Sequence, residues 1–386
     1  NISMKISNRG LIPPFIVMDV MRAANEREVA GELVLHMEVG QPSTGAPKGV
    51  VDAVKETVGV DKLGYTDALG IPALRFRIAQ YYKAQYGVTI DPARVVVTTG
   101  SSGGFVLSFL AAFDVGDRVA LVSPGYPAYR NILSALGIEV VEILTGPETN
   151  FQPTSELLAQ EMSKNGIFQG LIIASPSNPT GTMITPDELK SLVAFCDANS
   201  VRLISDEIYH GITYGTVAET AVTLSDDVIV INSFSKYFSM TGWRIGWMIV
   251  PEDLLRSIEC LAQNLFISAP SLSQIAGLAA FECREELDQN VKRYTVNREL
   301  LLRELPKSGF SNLASADGGF YIYADVGTLT NNSSEFCERM LAEVGIAATP
   351  GTDFDPTRGH RYLRFSFSGE ASVMVEAAAR LYEWQK

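Results

Sequence analysis

The stretch "VIVINSFSKYFSMTGWRIGW", Val228–Trp247, opens as an uninterrupted apolar run and closes on a lysine, Lys236, and an arginine, Arg244. A strand with one wet face alternates apolar and polar residues, whereas a strand covered by helices on both faces is apolar throughout. Val228–Ser233 is of the second kind. Working outward, "RVVVTTG" (Arg94–Gly100), "RVALVSPG" (Arg118–Gly125), "GLIIASP" (Gly170–Pro176) and "VRLISDE" (Val201–Glu207) have the same character. Helical patterns separate them. One is expected to begin near Gly103, and another spans Pro186–Ala198, with Thr185 as N-cap and Glu188 completing a capping box. Strands alternating with helices imply an α/β fold with a doubly wound, mostly parallel sheet.

Past residue 280 the pattern changes. A long charged helix is expected over Phe281–Leu305, then a strand in "GGFYIYADV" (Gly318–Val326), a helix over Ser334–Val344 and a strand near Tyr362–Ser368. A chain of 386 residues exceeds one ordinary core. The expected division is a large α/β domain over 46–280 and a smaller α+β domain made of 1–45 and 281–386. The composition, 46% hydrophobic and 19% charged, excludes disorder. A formal charge of −13 opposes binding to nucleic acid and to anionic membrane surfaces. No apolar run is long enough to span a membrane, and no signal pattern opens the chain. Cys196, Cys260, Cys283 and Cys337 are scattered without a CxxC pair and read as reduced thiols of a cytoplasmic protein. His36, His210 and His360 lack metal-ligand spacing, so no metal is expected.

In open α/β sheets, ligands bind beyond the carboxyl ends of the strands. The first candidate strand is followed by Ser101-Ser102-Gly103-Gly104, small residues that let a helix N-terminus approach a phosphate, or that merely allow close helix–strand packing. Pro124-Gly125-Tyr126-Pro127 offers an aromatic face or a core tyrosine at a turn. "SPSNPTG" (Ser175–Gly181) is an irregular loop around Asn178, and Asn-Pro alone is a common turn. Asp206-Glu207-Ile208-Tyr209 puts a carboxylate directly after a buried run, as a helix cap or as a paired functional group. Ser233-Phe234-Ser235-Lys236 ends the fifth strand, with Arg244 following. Together the five endings supply an anion cradle, an aromatic platform, a primary amine, a carboxylate and phenol or amide donors. A phosphorylated aromatic aldehyde with a pyridine nitrogen requires that set. The amine forms the imine when desolvation frees it of its proton, and the carboxylate keeps the ring nitrogen protonated.

These residues resemble a known family. "SNPTG", "SDEIY" and "SFSKYFSMTGWRIGW", in this order and spacing, are similar to the motifs of the class I/II aminotransferases, fold type I pyridoxal-phosphate-dependent enzymes, and the resemblance covers nearly the whole chain. It implies that Lys236 is the Schiff-base lysine and proton carrier, that Asp206 pairs with the pyridinium nitrogen, and that Tyr209 and Asn178 bind the phenolate oxygen. Tyr126 would stack on the ring. Ser101, Ser102, Gly103, Ser233 and Arg244 would hold the phosphate, with Ser235 lining the site. Arg364, in "YLRFSFS" (Tyr362–Ser368), resembles the arginine that grips the substrate α-carboxylate, a task suited to a planar fork. Gly40, in "VGQP", and Asn178 would lie beside that carboxylate. Tyr65, in "GYTDALGIPALR" (Gly64–Arg75), resembles the tyrosine that reaches the phosphate of a neighbouring subunit, implying a homodimer with a shared site.

One departure bears on substrate. Aspartate aminotransferases of animals and enteric bacteria place an arginine for the distal carboxylate beyond the lysine, where this chain reads "NLFISAPSLSQ" (Asn264–Gln274). With apolar neighbours expected from Phe15, Ile16, Val39 and Phe266, the pocket should favour neutral or aromatic amino acids over a broad range, with glutamate tolerated. Two other readings compete. A β-lyase or cyclopropane-carboxylate synthase would use the same lysine, aspartate and phosphate cradle. A non-catalytic sensor fused to a DNA-binding domain is opposed by the acidic charge and by the lack of a helix-turn-helix pattern before residue 15.

Overall fold

The computed structural model describes residues 3–386. The chain first forms α1 (Ile16–Val29), a short strand β1 (Leu35–His36), α2 (Lys48–Thr57) and α3 (Pro72–Tyr86). Seven strands follow: β2 (Val95–Thr98), β3 (Arg118–Ser123), β4 (Glu139–Leu144), β5 (Gly170–Ala174), β6 (Arg202–Asp206), β7 (Ile229–Ser233) and β8 (Gly246–Ile249). They pair in the order β2-β8-β7-β6-β5-β3-β4. Between and after them run α4 (Gly100–Ala112), α5 (Pro127–Ala135), α6 (Ser155–Asn165), α7 (Pro186–Asn199), α8 (Glu252–Leu265) and α9 (Ser271–Ala280).

The continuous apolar runs have the cause that their sequence implied. Neighbouring residues on one strand enter different cores: Ala120, Leu171, Leu203 and Val230 pack in one, and Leu121, Ile172, Ile204 and Ile231 in the other. Two elements depart from the sequence reading. The edge strand β4 pairs only with β3, and its "EVVEIL" carries two glutamates, so it does not look like a doubly covered strand. Strand β8 runs antiparallel to both neighbours, pairing Asn232 with Trp247 and Val97 with Trp247. A parallel return needs a crossover, normally helical. Between β7 and β8 the chain makes only a 3-10 turn at Thr241–Trp243, so it comes straight back beside itself.

Helix α4 starts at Gly100 rather than near Gly103, so its first turn lies right at the end of β2. The expected helix over Phe281–Leu305 is the single helix α10 (Arg284–Glu304), which begins three residues later than expected because a turn at Phe281–Cys283 separates it from α9. Thr185 caps α7 as expected, its hydroxyl accepting from the Glu188 N–H at 3.3 Å. Beyond α10 come β9 (Asn312–Leu313), β10 (Tyr321–Asp325), α11 (Ser333–Val344), β11 (Ile346–Ala347), β12 (Thr349–Pro350), β13 (Tyr362–Ser366) and α12 (Ala371–Trp384). Strands β12-β13-β10-β9 form an antiparallel sheet, and β1 pairs with β11 in parallel. The N-terminal segment thus continues along this second sheet. Met37 donates to the Ala347 carbonyl at 3.0 Å and accepts from Ser366 at 2.7 Å, which leads the chain to Val39–Gln41, beside Lys236 at the carboxyl ends of the large sheet's strands.

Gly246 is where three elements meet. A Cβ there would lie 2.7 Å from the Asn232 carbonyl oxygen and 3.1 Å from the Gly100 carbonyl carbon. These two contacts and a third, 3.2 Å to the Ser101 nitrogen, are main chain and cannot yield separately, so Gly246→Ala should destabilise the fold by about 1–3 kcal/mol. Denaturant unfolding measures this, and an unchanged midpoint would show that β8 and α4 have room to part.

Candidate active site

The carboxyl ends of the parallel strands surround a cavity of about 210 Å³. Ser101 and Ser102 face it from the first turn of α4, Tyr126 from the start of α5, Asn178 from the loop after β5, and Asp206 and Tyr209 from the end of β6. Lys236 and Arg244 enter from the loop between β7 and β8, and Gly40 from the N-terminal segment. A second cavity of about 180 Å³ adjoins it, sharing Val39, Gly40, Tyr126, Asn178 and Lys236, with Arg364 in its wall.

Lys236 donates from Nζ to the Gly40 carbonyl at 2.5 Å and lies 5.9 Å from the centre of the Tyr209 ring. Burial pushes its pKa down to about 8, helped by the Arg364 and Arg244 cations and opposed by Asp206. Asp206 is 5% exposed. One carboxylate oxygen accepts from the Ile208 N–H at 3.1 Å, the other from the Tyr129 hydroxyl. Burial pushes the carboxyl up to about 6 while those two donors pull it back. The bond to Ile208 closes a local turn and caps no helix, since none begins there, and the residue faces the cavity.

Arg364 is 3% exposed, its Cζ 4.1 Å from the Tyr321 ring centre and 4.8 Å from that of Phe354. Its Nη1 donates to Asn178 Oδ1 at 2.7 Å and its Nη2 to the Glu38 carbonyl at 2.5 Å, both neutral acceptors. Its Nε has no partner. A buried guanidinium held between aromatic faces without an anion is a seat for one. Since Asn178 accepts through Oδ1, its amide N–H groups remain available as donors. Gly40 is required beside this seat, because a Cβ there would overlap the Tyr321 hydroxyl.

Three sequence expectations are not brought to the cavity. Ser233 is buried behind it: its hydroxyl donates toward Ser235 Oγ at 2.9 Å and Ile245 O at 3.2 Å, and accepts from the Ser235 N–H at 3.0 Å. Ser235 lines the cavity instead. Gly103 is buried within α4, which by starting at Gly100 presents Ser101 and Ser102. Tyr65 is 83% exposed in this single chain. Around the smaller cavity, Phe15 and Val39 are present as expected, but Ile16 and Phe266 are replaced by Val17 and Met18. Sequence reasoning also missed Tyr129 and Tyr321. Tyr129 stands three residues after Tyr126 in the first turn of α5, where i and i+3 share a face. Tyr321, whose hydroxyl meets that of Tyr209 at 2.6 Å, is a strand residue in an aromatic run and carried no such signal.

The sequence profile for "Aminotransferase class I and II" matches residues 33–381. The chain belongs to the class I and II aminotransferases. This aminotransferase is 50% identical over 384 residues to a valine–pyruvate aminotransferase of Mycobacterium tuberculosis, with 98% of each chain covered. It superposes on the crystal structure of an aminotransferase from Mycobacterium tuberculosis with a TM-score of 0.97 at 49% identity, covering 99% of each. An aspartate aminotransferase from Thermus thermophilus, solved with maleate, gives 0.92 at 27% identity, covering 99% of this chain and 100% of that one. The enzyme is pyridoxal-phosphate-dependent and moves an amino group between an amino acid and a 2-oxo acid.

The residues present fit that cofactor. At Gly100 (φ +72°) a Cβ would stand 2.6 Å from Arg244 Nη2, so glycine is what lets the guanidinium lie against the start of α4. Arg244, hydroxyls from Ser101, Ser102, Ser235 and Thr241, and a helix N-terminus are suited to a phosphate dianion. Because the Tyr129 hydroxyl stabilises the Asp206 anion, Tyr129→Phe should raise the Asp206 pKa by about one unit. The carboxylate is then lost at a higher pH, and the acid limb of the kcat/KM profile moves up. An unmoved limb would show that this hydrogen bond does not tune Asp206.

Proposed function

We propose that Lys236 is the covalent and proton-transferring lysine and that Arg364 takes the α-carboxylate of a neutral, mainly aliphatic amino acid, with a short 2-oxo acid as acceptor. The observation that carries this is Arg364: a buried guanidinium with an unpartnered Nε, on the wall of a small apolar cavity that also holds Lys236. An α-amino acid gripped there by its carboxylate has its amino group and Cα directed at Lys236, and its side chain among Phe15, Val17, Met18 and Phe354. The lack of a cation other than Arg364 and Lys236 in that cavity favours uncharged side chains. The relative named for valine and pyruvate supports the same class.

Pyridoxal phosphate, when bound, supplies an aldehyde that condenses with amines and a protonated ring that accepts an electron pair. The chain's residues do the rest. Arg244, Ser101, Ser102 and Ser235 hold the phosphate, and Tyr126 supplies an aromatic face. Asp206 keeps a proton on the pyridine nitrogen. Tyr209 and Asn178 donate to the phenolate oxygen, and Asn178 links that end to the carboxylate seat through Arg364. Lys236 Nζ removes the proton from the substrate Cα and returns one, as an amine with a pKa near neutrality does best.

Exposed Tyr65 supports a homodimer in which it reaches the partner's phosphate. The division into 46–280 and 1–45 with 281–386 is proposed on the pairing of β1 with β11. No helix among the described residues is long and apolar enough to cross a membrane. A cytoplasmic site is proposed on the four free cysteines.

Only the uncharged amine attacks an aldehyde, so borohydride-trapped incorporation of pyridoxal phosphate into the apoenzyme should rise with pH and level off above about 8, whereas an ordinary lysine would keep rising past about 10. The label should map to Lys236, and Lys236→Ala should abolish turnover. In single-turnover absorbance assays, valine and alanine should outpace aspartate. A preference for aspartate would refute the donor class without touching the role of Lys236.

A further inference from the structure

Helix α1 begins without a cap of its own. Its N-cap position is Phe15, which offers no side-chain acceptor, and the first backbone N–H groups of a helix need one. The acceptor comes from the far end of the chain. Asp353 Oδ1 accepts from the Ile16 N–H at 3.1 Å and Oδ2 from the Val17 N–H at 3.2 Å, across more than three hundred residues of sequence. Asp353 is 4% exposed and closes a single 3-10 turn, Gly351–Asp353. The next residue, Phe354, places its ring 4.8 Å from the Arg364 guanidinium. One short turn therefore supplies both a wall of the carboxylate seat and the cap of the helix that covers the side-chain pocket.

The groups around Asp353 decide its charge. Burial raises its carboxyl above the ordinary value, and the two N–H groups, with Arg364 and Arg130 nearby, pull it back down. The positive end of α1 favours the same anion. Asp353 also lines the smaller cavity, beside Phe15, Val17 and Met18 from the helix it caps.

Resting on the donor class proposed above, we propose that Asp353 is a positioning and specificity residue. It seats the start of α1 so that Phe15, Val17 and Met18 close the pocket around an aliphatic side chain, and its negative charge in the pocket wall excludes side chains that end in a carboxylate. The two roles separate by substitution. An amide at this position keeps an acceptor for one N–H group but has no charge, whereas alanine has neither.

The test uses the holoenzyme and compares kcat and KM for valine and aspartate in the wild type, Asp353→Asn and Asp353→Ala. Loss of the cap and its charge-assisted bonds should lower kcat/KM for valine about tenfold in Asp353→Ala, mainly through KM, with Asp353→Asn falling between it and the wild type. The valine-to-aspartate ratio of kcat/KM should drop by about tenfold in both variants, because both lack the charge. Cofactor loading, read by absorbance, should hold in both, since Asp353 does not line the larger cavity. A ratio unchanged in Asp353→Asn would overturn the exclusion, and an equal loss on both donors together with lost cofactor loading would reduce Asp353 to a purely structural part. A wild type that prefers aspartate would instead overturn the donor class, and that is seen before any variant is made.

Discussion

The site depends on the way the chain leaves β7 and returns as β8. Without a crossover helix, β8 must lie antiparallel beside β7, and the turn between them carries Lys236 at one end and Arg244 at the other. The return works only because two glycines permit it. Gly246 lets β8 press against the main chain of Asn232 and of Gly100, and Gly100 lets the Arg244 guanidinium lie at the start of α4. The backbone positions that carry the Lys236 amine and the Arg244 guanidinium are thereby fixed with respect to each other by main-chain packing. Such fixed placement is what lets a site meet a charge without reorganising.

Around that loop, burial sets the chemistry. The amine of Lys236 is pushed down to about 8 and the carboxyl of Asp206 up to about 6, so both titrate close to neutrality. The Lys236 shift is limited by the Asp206 carboxylate, and the Asp206 shift by the hydrogen bonds from Tyr129 and the Ile208 N–H. Asn178 and Tyr321 extend the network to Arg364, whose partners are uncharged. The carboxylate seat and the amine are thus parts of one connected set, drawn from both sheets and the N-terminal segment.

Much of this was legible before any coordinates. Doubly buried strands read as unbroken apolar runs, and their carboxyl ends announced Asp206, Lys236, Asn178 and Tyr126, each open to a packing or turn reading alone but together at the place where such sheets bind ligands. Other features were hidden for physical reasons. Strand β4 lies at an edge, so its glutamates obscured it, and β8 was masked by the turn residues before it. Ser233 and Ser235 sit two apart in a turn, and only the backbone path decides which hydroxyl meets the cavity. Tyr321 and Asp353 act across chain separations that no local pattern encodes, since their partners are Tyr209 and the start of α1.

The measurement that bears most directly on the central claim is a crystal structure of the protein soaked with pyridoxal phosphate. The account predicts the phosphate between Arg244 and the start of α4, within hydrogen-bond reach of Ser101, Ser102 and Ser235, and continuous density from the cofactor to Lys236 Nζ. A phosphate bound elsewhere, or a covalent link to any other lysine, would contradict it.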